Sequence, residues 1–189
     1  MFEAFTNIAA AFGLSSSAGL NAYLPLLVVA VTARYTDWIE LNEPWGVMTN
    51  GWVIAVLVVL LLIEMTVDKI PAVDSLNDIL QTVGRPLAGA ILFAASSGVL
   101  GEVQPVLAFI AGLVLAGGVH AAKSVTRPAV TAVTGGMGNW FVSLVEDILA
   151  LITALLSILL PVIMAALIVI AIILFAWRRS SRKSSPRHA

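Results

Sequence analysis

The chain has no cysteine, and only 11% of its residues are charged. Without cysteine there is no disulfide, no thiolate metal site and no thiol nucleophile. Soluble domains carry about 25% charged residues. Against that figure, 60% apolar residues and a mean hydropathy of +1.01 argue for a membrane-embedded protein. Neither sign of charge dominates: 10 Lys and Arg against 11 Asp and Glu give a formal net charge of −1, so no global field favours nucleic acid. Histidine is limited to two residues, and a lone intramembrane His120 is a poor metal ligand set. No nucleophile and base stand in a recognisable constellation, so no enzyme, cofactor or metal centre is expected. The N-terminal MFEAFTNIAAAFG also lacks the Lys or Arg that opens a secretory leader, and it reads as the start of a retained span.

What is abundant is apolar sequence in long runs. A hydrocarbon core of about 30 Å needs about 20 helical residues, and such runs fall at 8–33, 50–67, 73–100, 105–123, 139–158 and 161–177. The expected fold is an all-α polytopic membrane domain of about six transmembrane helices over 1–177, followed by a basic tail over 178–189. A single helix over 139–177 would be too long for the bilayer, so Pro161 is expected to divide it. Arg178, Arg179, Arg182, Lys183 and Arg187 in the tail point to the cytoplasm. Six spans then put both termini inside, with Arg34, Asp37, Glu40, Glu43 and Glu102 in outer loops. Trp52, Trp140 and Trp177 fall at span ends, as an interfacial belt requires.

Two short correspondences suggest an internal repeat. Gly13, Ser17 and Asn21 match Gly112, Ala116 and His120 at a constant offset of 99, and Asn50–Trp52 (NGW) matches Gly138–Trp140 (GNW). Three spans separate each pair, so the expectation is a 3+3 inverted repeat with broken helices, with halves at about 1–100 and 105–177. A rival alignment sets SLNDIL (75–80) against SLVEDIL (143–149).

The ionisable residues inside these runs are the candidate site. Glu64, Asp68, Lys69, Asp74, Asp78 and Arg85 crowd into 64–86, with Asp74, Asn77 and Asp78 on one helix face. Asp74 is equally suited to cap a helix. Gly84-Arg85-Pro86 reads as a break near mid-membrane, where Arg85 needs Glu64, Asp78, Glu146 or Asp147 as a partner. His120, Lys123 and Arg127 share a helix face, either snorkelling to headgroups or forming a cationic wall. Glu146 and Asp147 lie about 11 Å into the fifth span. In the first span, Gly13, Ser17 and Asn21 form a small polar stripe. It serves either close helix packing or a break at Pro25 that turns Asn21 toward a cavity. Gly135, Gly136 and Gly138 suggest a loop, and they lack the lysine and hydroxyl of a phosphate-binding loop.

Four stretches, GLSSSAGLNAYLPLL (13–27), DKIPAVDSLNDILQTVGRPLAGA (68–90), HAAKSVTRP (120–128) and TGGMGNWFVSLVEDILAL (134–151), resemble a bacterial integral-membrane family known as domain of unknown function 4126. The resemblance covers nearly the whole chain apart from the tail and the first outer loop. It implies a small multi-helix protein of the bacterial inner membrane and brings no activity with it. From the residues, three roles stand open. One is an ion or small-solute transporter or channel, proton-coupled or not, and homo-oligomeric because six short helices enclose little volume. The second is a binder or translocator of anionic or polyprenyl-phosphate-type lipid, using Arg85, Lys123 and Arg127. The third is an accessory subunit in which the charges only lock helices together in the lipid bilayer.

Overall fold

The computed structural model describes residues 2–41, 43–67, 71–96, 105–135 and 137–161, with scattered helical positions from 163 to 178. For residues 2–4, 71–79, 127 and 137 it describes the backbone alone. Among the described residues the fold is all-helical: α1 (Phe2–Leu20), α2 (Tyr23–Tyr35), a short 3-10 turn (Trp45–Thr49), α3 (Gly51–Val67), α4 (Pro71–Ser96), α5 (Pro105–Thr134) and α6 (Met137–Leu159). Two of them, Pro105–Thr134 and Gly138–Leu159 within α6, are long and apolar enough to cross a membrane, while α2 and α3 are shorter apolar helices. The sixth expected span and the basic tail lie largely outside the described residues, as does the Asp68–Lys69 pair.

The first expected span, 8–33, is two helices rather than one. Pro25 has no N–H to give the Asn21 carbonyl, and its ring crowds that carbonyl, which weakens the helix at this point. The side chain of Asn21 then starts α2, its Oδ1 accepting the N–H groups of Leu24 at 2.9 Å and Tyr23 at 3.2 Å. The chain also reverses here. Asn7 and Ala10 near the start of α1 line the same cavity as Trp38, Ile39 and Glu40, which follow α2. A straight continuation would separate them by roughly 45 Å.

That reversal overturns the expected arrangement of the loops. The start of α1 and the segment 34–50 lie at one end of the bundle, the proximal end, rather than on opposite sides. From α2 the chain turns back along α3, with Arg34 Nη1 donating to Thr49 O at 2.6 Å at the proximal end and Ala22 N–H facing Glu64 at the other. Helices α4 and α6 then run toward the proximal end, where Ser96 and Ser157 line the same cavity.

The directions also correct the repeat. Helices α1 and α5, the matched pair, run parallel: Ser15 meets Gly112, Gly19 meets Ala116, and Leu20 meets Lys123. Helices α3 and α6, the second matched pair, run in opposite directions. An inverted repeat requires both pairs to be opposed, so the short sequence matches do not describe one symmetry.

The α1, α4 and α5 helices approach closely because their contact residues are small. A Cβ added at Gly19 would lie 2.6 Å from Ala116 O, and one at Gly89 would lie 2.8 Å from Ser15 Oγ. Ser15 Oγ donates to Gly112 O at 2.9 Å, and Ser17 Oγ donates to Ala150 O at 2.7 Å, so the hydroxyls of α1 are spent on neighbouring helices. The small stripe of α1 therefore serves packing at Ser15 and Ser17, and the helix does break at Asn21, whose amide is buried against Asp147 instead of facing a described cavity.

Two other expectations change. The break foreseen at Gly84-Arg85-Pro86 is absent: α4 is continuous with Pro86 inside it, losing one backbone hydrogen bond while packing against α1 and α5 holds its course. Helix α5 likewise runs through Pro128 to Thr134, eleven residues past the expected end at 123. The glycine-rich loop shrinks to a tight turn at Gly135, whose φ of 62° is the left-handed conformation glycine adopts without strain. Thr134 Oγ1 accepts the Gly138 N–H at 3.0 Å, and Thr131 and Asn139 bond across the turn. At Pro161 the structure shows an interruption, since α6 ends at Leu159 and Leu160 is not helical, while the hairpin expected there falls on positions that are only partly described.

Candidate functional site

The site begins with the backbone that the α1–α2 reversal sets free. Because Leu24 N–H goes to the Asn21 side chain, the Leu20 carbonyl loses its helical partner, and Lys123 Nζ donates to it at 3.1 Å. Ala22 N–H, lifted out of the α1 register, faces Glu64 Oε1 at 3.4 Å. The hairpin tip thus offers one acceptor and one donor, and α5 supplies a cation to the first while α3 supplies an anion to the second.

These two groups open two charged branches. In one, Glu64 Oε1 accepts from Arg85 Nη2 at 3.1 Å and Nε at 3.4 Å, with both residues buried. Arg85 Nη1 stands 3.0 Å from His120 Nδ1, and His120 Nε2 stands 3.3 Å from Thr82 Oγ1. A guanidinium has donors only, so Nδ1 accepts, and the ring proton sits on Nε2, directed at Thr82. In the other branch, Lys123 Nζ meets Glu146 Oε2 at 2.9 Å, and Asn21 Nδ2 donates to Asp147 Oδ1 at 2.9 Å. Stripping each ion of water costs several kcal/mol, which is offset only by close pairing and further hydrogen bonds of this kind.

The tip therefore gathers Asn21 from the α1–α2 turn and Glu64, Arg85, His120, Lys123, Glu146 and Asp147 from four helices, all of them buried. Of the four partners open to Arg85, the described contact is with Glu64. Glu146 and Asp147 serve different neighbours, as their rotation of about 100° on α6 requires. Asp74, Asn77 and Asp78 lie on α4 ahead of Arg85, and Arg127 lies one turn past Lys123 on α5. The side chains of these four, and all of Asp68 and Lys69, fall outside the described residues.

Three participants escaped the sequence reading. Thr82 contacts His120, and Tyr23 lies close enough to Glu64 and Arg85 to feel both charges, with Gln81 beside it. Gln81 sits four residues before Arg85, so helical spacing was the available signal. Tyr23 carried no signal, because only the reversal turns it toward α3.

Asn21 has two separable duties. Asn21→Asp keeps a good cap but replaces the donor to Asp147 with a second carboxylate. It is expected to lower stability by roughly 1–3 kcal/mol at neutral pH. Part of that loss returns as the pH falls and one of the facing carboxylates is protonated. Thermal unfolding in detergent across pH 4–8, compared with Asn21→Ser, checks both duties.

No curated protein and no solved structure matches the chain. Its sequence does match, over residues 8–181, the family described as Domain of unknown function (DUF4126). That span takes in every residue gathered at the hairpin tip, and the chain belongs to this family.

Proposed function

We propose that the protein is a multi-pass membrane transport protein for an ion or small solute, and that the charged hairpin tip is its site. The observation that carries this reading is the pair of backbone groups freed at Leu20 and Ala22, held by Lys123 and Glu64 at the end of a hairpin that stops partway along α4, α5 and α6. Non-helical backbone at membrane depth is tolerated where it is buried in protein or lines a cavity, and transporters build substrate sites from it.

The distribution of surface supports the membrane setting. Arg85 is 0% exposed, whereas Trp52 is 83% and Val114 63% exposed. Polar groups inside and apolar side chains outside suit a hydrocarbon solvent and would be costly in water. Helices α4 to α6 have the length to cross, and α2, at 13 residues or roughly 20 Å, makes α1–α2 a re-entrant element in this reading.

The test is flux from proteoliposomes, using an enclosed pH dye for protons and labelled rubidium for cations. Glu146→Gln and Asp147→Asn are expected to lower flux roughly tenfold or more while the protein stays monodisperse. Absent wild-type flux for both probes, or unchanged flux in both variants, rejects the assignment.

One observation favours a second reading, an accessory subunit: the described charges hold one another, Glu64 with Arg85 and Lys123 with Glu146. It predicts that neutralising variants lose stability where the wild type carries no flux. The same pairs weaken the lipid-phosphate reading, whose cations Arg85 and Lys123 are already engaged. Mass spectrometry of copurified lipid tests that reading.

A further inference from the structure

At the proximal end, away from the charged tip, a cavity of about 370 Å³ opens between the α1–α2 hairpin and the ends of α4 and α6. This lies within the range of about 300–1,000 Å³ typical of small-molecule sites. Its depth is graded. Leu14 and Ser157 are fully buried and form the floor, while Trp38 and Glu40 are exposed and form the rim. Asn7 and Ser96 contribute an amide and a hydroxyl between them. Ser96 Oγ is buried and has no hydrogen-bond partner among the described residues.

We propose that this cavity binds a small organic cation of the amine type and is the proximal vestibule of the hairpin-tip site. Among the described residues Glu40 is the one ionisable group on its lining, and the Trp38 indole beside it adds a face that attracts cations. Ser96 Oγ and the Asn7 amide oxygen accept N–H donors below the rim, and the walls are otherwise largely apolar. An anion would meet Glu40 with no basic group among the described lining residues to receive it.

The floor lies on the seam that leads to the charged network. From Leu14 to Asn21 on α1 is roughly 10 Å, and from Ser157 to Asp147 on α6 roughly 15 Å. Leu14 and the bond from Ser17 Oγ to Ala150 O close the seam between them. In this arrangement the vestibule is open and the route beyond it shut. The vestibule role rests on the transport reading above, whereas the cation preference stands on the cavity's own lining.

Because the wild-type chain has no cysteine, single cysteines report their own position without background. Asn7→Cys and Ser157→Cys, in the full-length protein in proteoliposomes, are to be treated with a trimethylammonium methanethiosulfonate reagent or its sulfonate analogue and read by intact mass. The cationic reagent is expected to label both cysteines roughly tenfold faster than the anionic one. Glu40→Gln should erase that preference, and excess tetramethylammonium should slow the labelling. Two positions on different helices are used so that misfolding of one variant leaves the other informative. Failure of the cationic reagent to label either cysteine in folded protein, or equal rates for both reagents with Glu40 present, overturns the proposal.

Flux separates this failure from failure of the transport reading. Charge-selective labelling of a protein whose wild type carries no flux discards transport and upholds the cation site. Flux that persists unchanged after complete labelling of Ser157→Cys discards the vestibule and leaves transport standing.

Discussion

Replacing Glu64 by alanine is expected to destabilise the protein by roughly 3–5 kcal/mol, the usual cost of removing one member of a buried ion pair. The reason is what stays behind. Arg85 is 0% exposed, so the variant must bury a guanidinium without the carboxylate that binds its Nη2 and Nε. Ala22 N–H loses its acceptor at the same time. The double variant Glu64→Leu, Arg85→Met removes both charges and keeps much of the volume, and it should recover most of the loss. Unfolding by titrated denaturant in detergent micelles measures both. A single variant as stable as the wild type would show that the Glu64–Arg85 contact is not what holds α3 to α4. The double variant also separates structure from transport. Restored stability with lost flux assigns the pair to the site, and restored stability with restored flux assigns it to packing.

The second large effect is steric. Gly112→Ala on α5 is expected to cost about 1–3 kcal/mol through overpacking. The new Cβ would lie 2.6 Å from Phe93 Cβ and 2.8 Å from Ala90 Cα, and backbone yields poorly. Gly118→Ala, two turns along the same helix, meets nothing within 4 Å and is expected to stabilise by up to about 1 kcal/mol through helix propensity. The pair isolates close approach from backbone flexibility, because both replace a helical glycine by the same residue. Equal unfolding midpoints for the two variants would show that α4 and α5 can separate without loss. The consequence reaches the site, since the α4–α5 contact sets the distance between Arg85 and His120.

Most helix limits were legible because they follow from local chemistry. The apolar runs at 50–67 and 139–158 returned as α3 and α6 to within a residue or two. The dense ionisable stretch likewise announced that Arg85 would need a carboxylate. Local reading failed where neighbours decide. Pro25 and Pro86 both sit in apolar surroundings, yet one breaks its helix and the other does not. At Pro25, Asn21 captures Leu24 N–H, and Lys123 and Glu64 receive the freed backbone groups. At Pro86, α4 is held between α1 and α5.

The repeat failed for a related reason. A few glycines and small residues at regular spacing recur wherever helices pack closely, so the match between Gly13–Asn21 and Gly112–His120 reported shared packing needs. Direction in the bundle is set by the turns between helices, and the turn at 20–22 carries no loop-like composition.

By itself, then, the sequence determined the helical class, the apolar exterior and that Asn21, Glu64, Arg85, His120, Lys123, Glu146 and Asp147 were candidates to be buried, while Tyr23, Gln81 and Thr82 escaped it. Hydropathy and the cost of burying charge act on each residue irrespective of its neighbours. The tertiary structure alone decided that the first apolar run doubles back, that Glu64 rather than Asp78, Glu146 or Asp147 contacts Arg85 among the described residues, and that a cavity lies at the opposite end from the charged tip. Those outcomes depend on which helix lies beside which, a choice made by backbone groups at one three-residue turn.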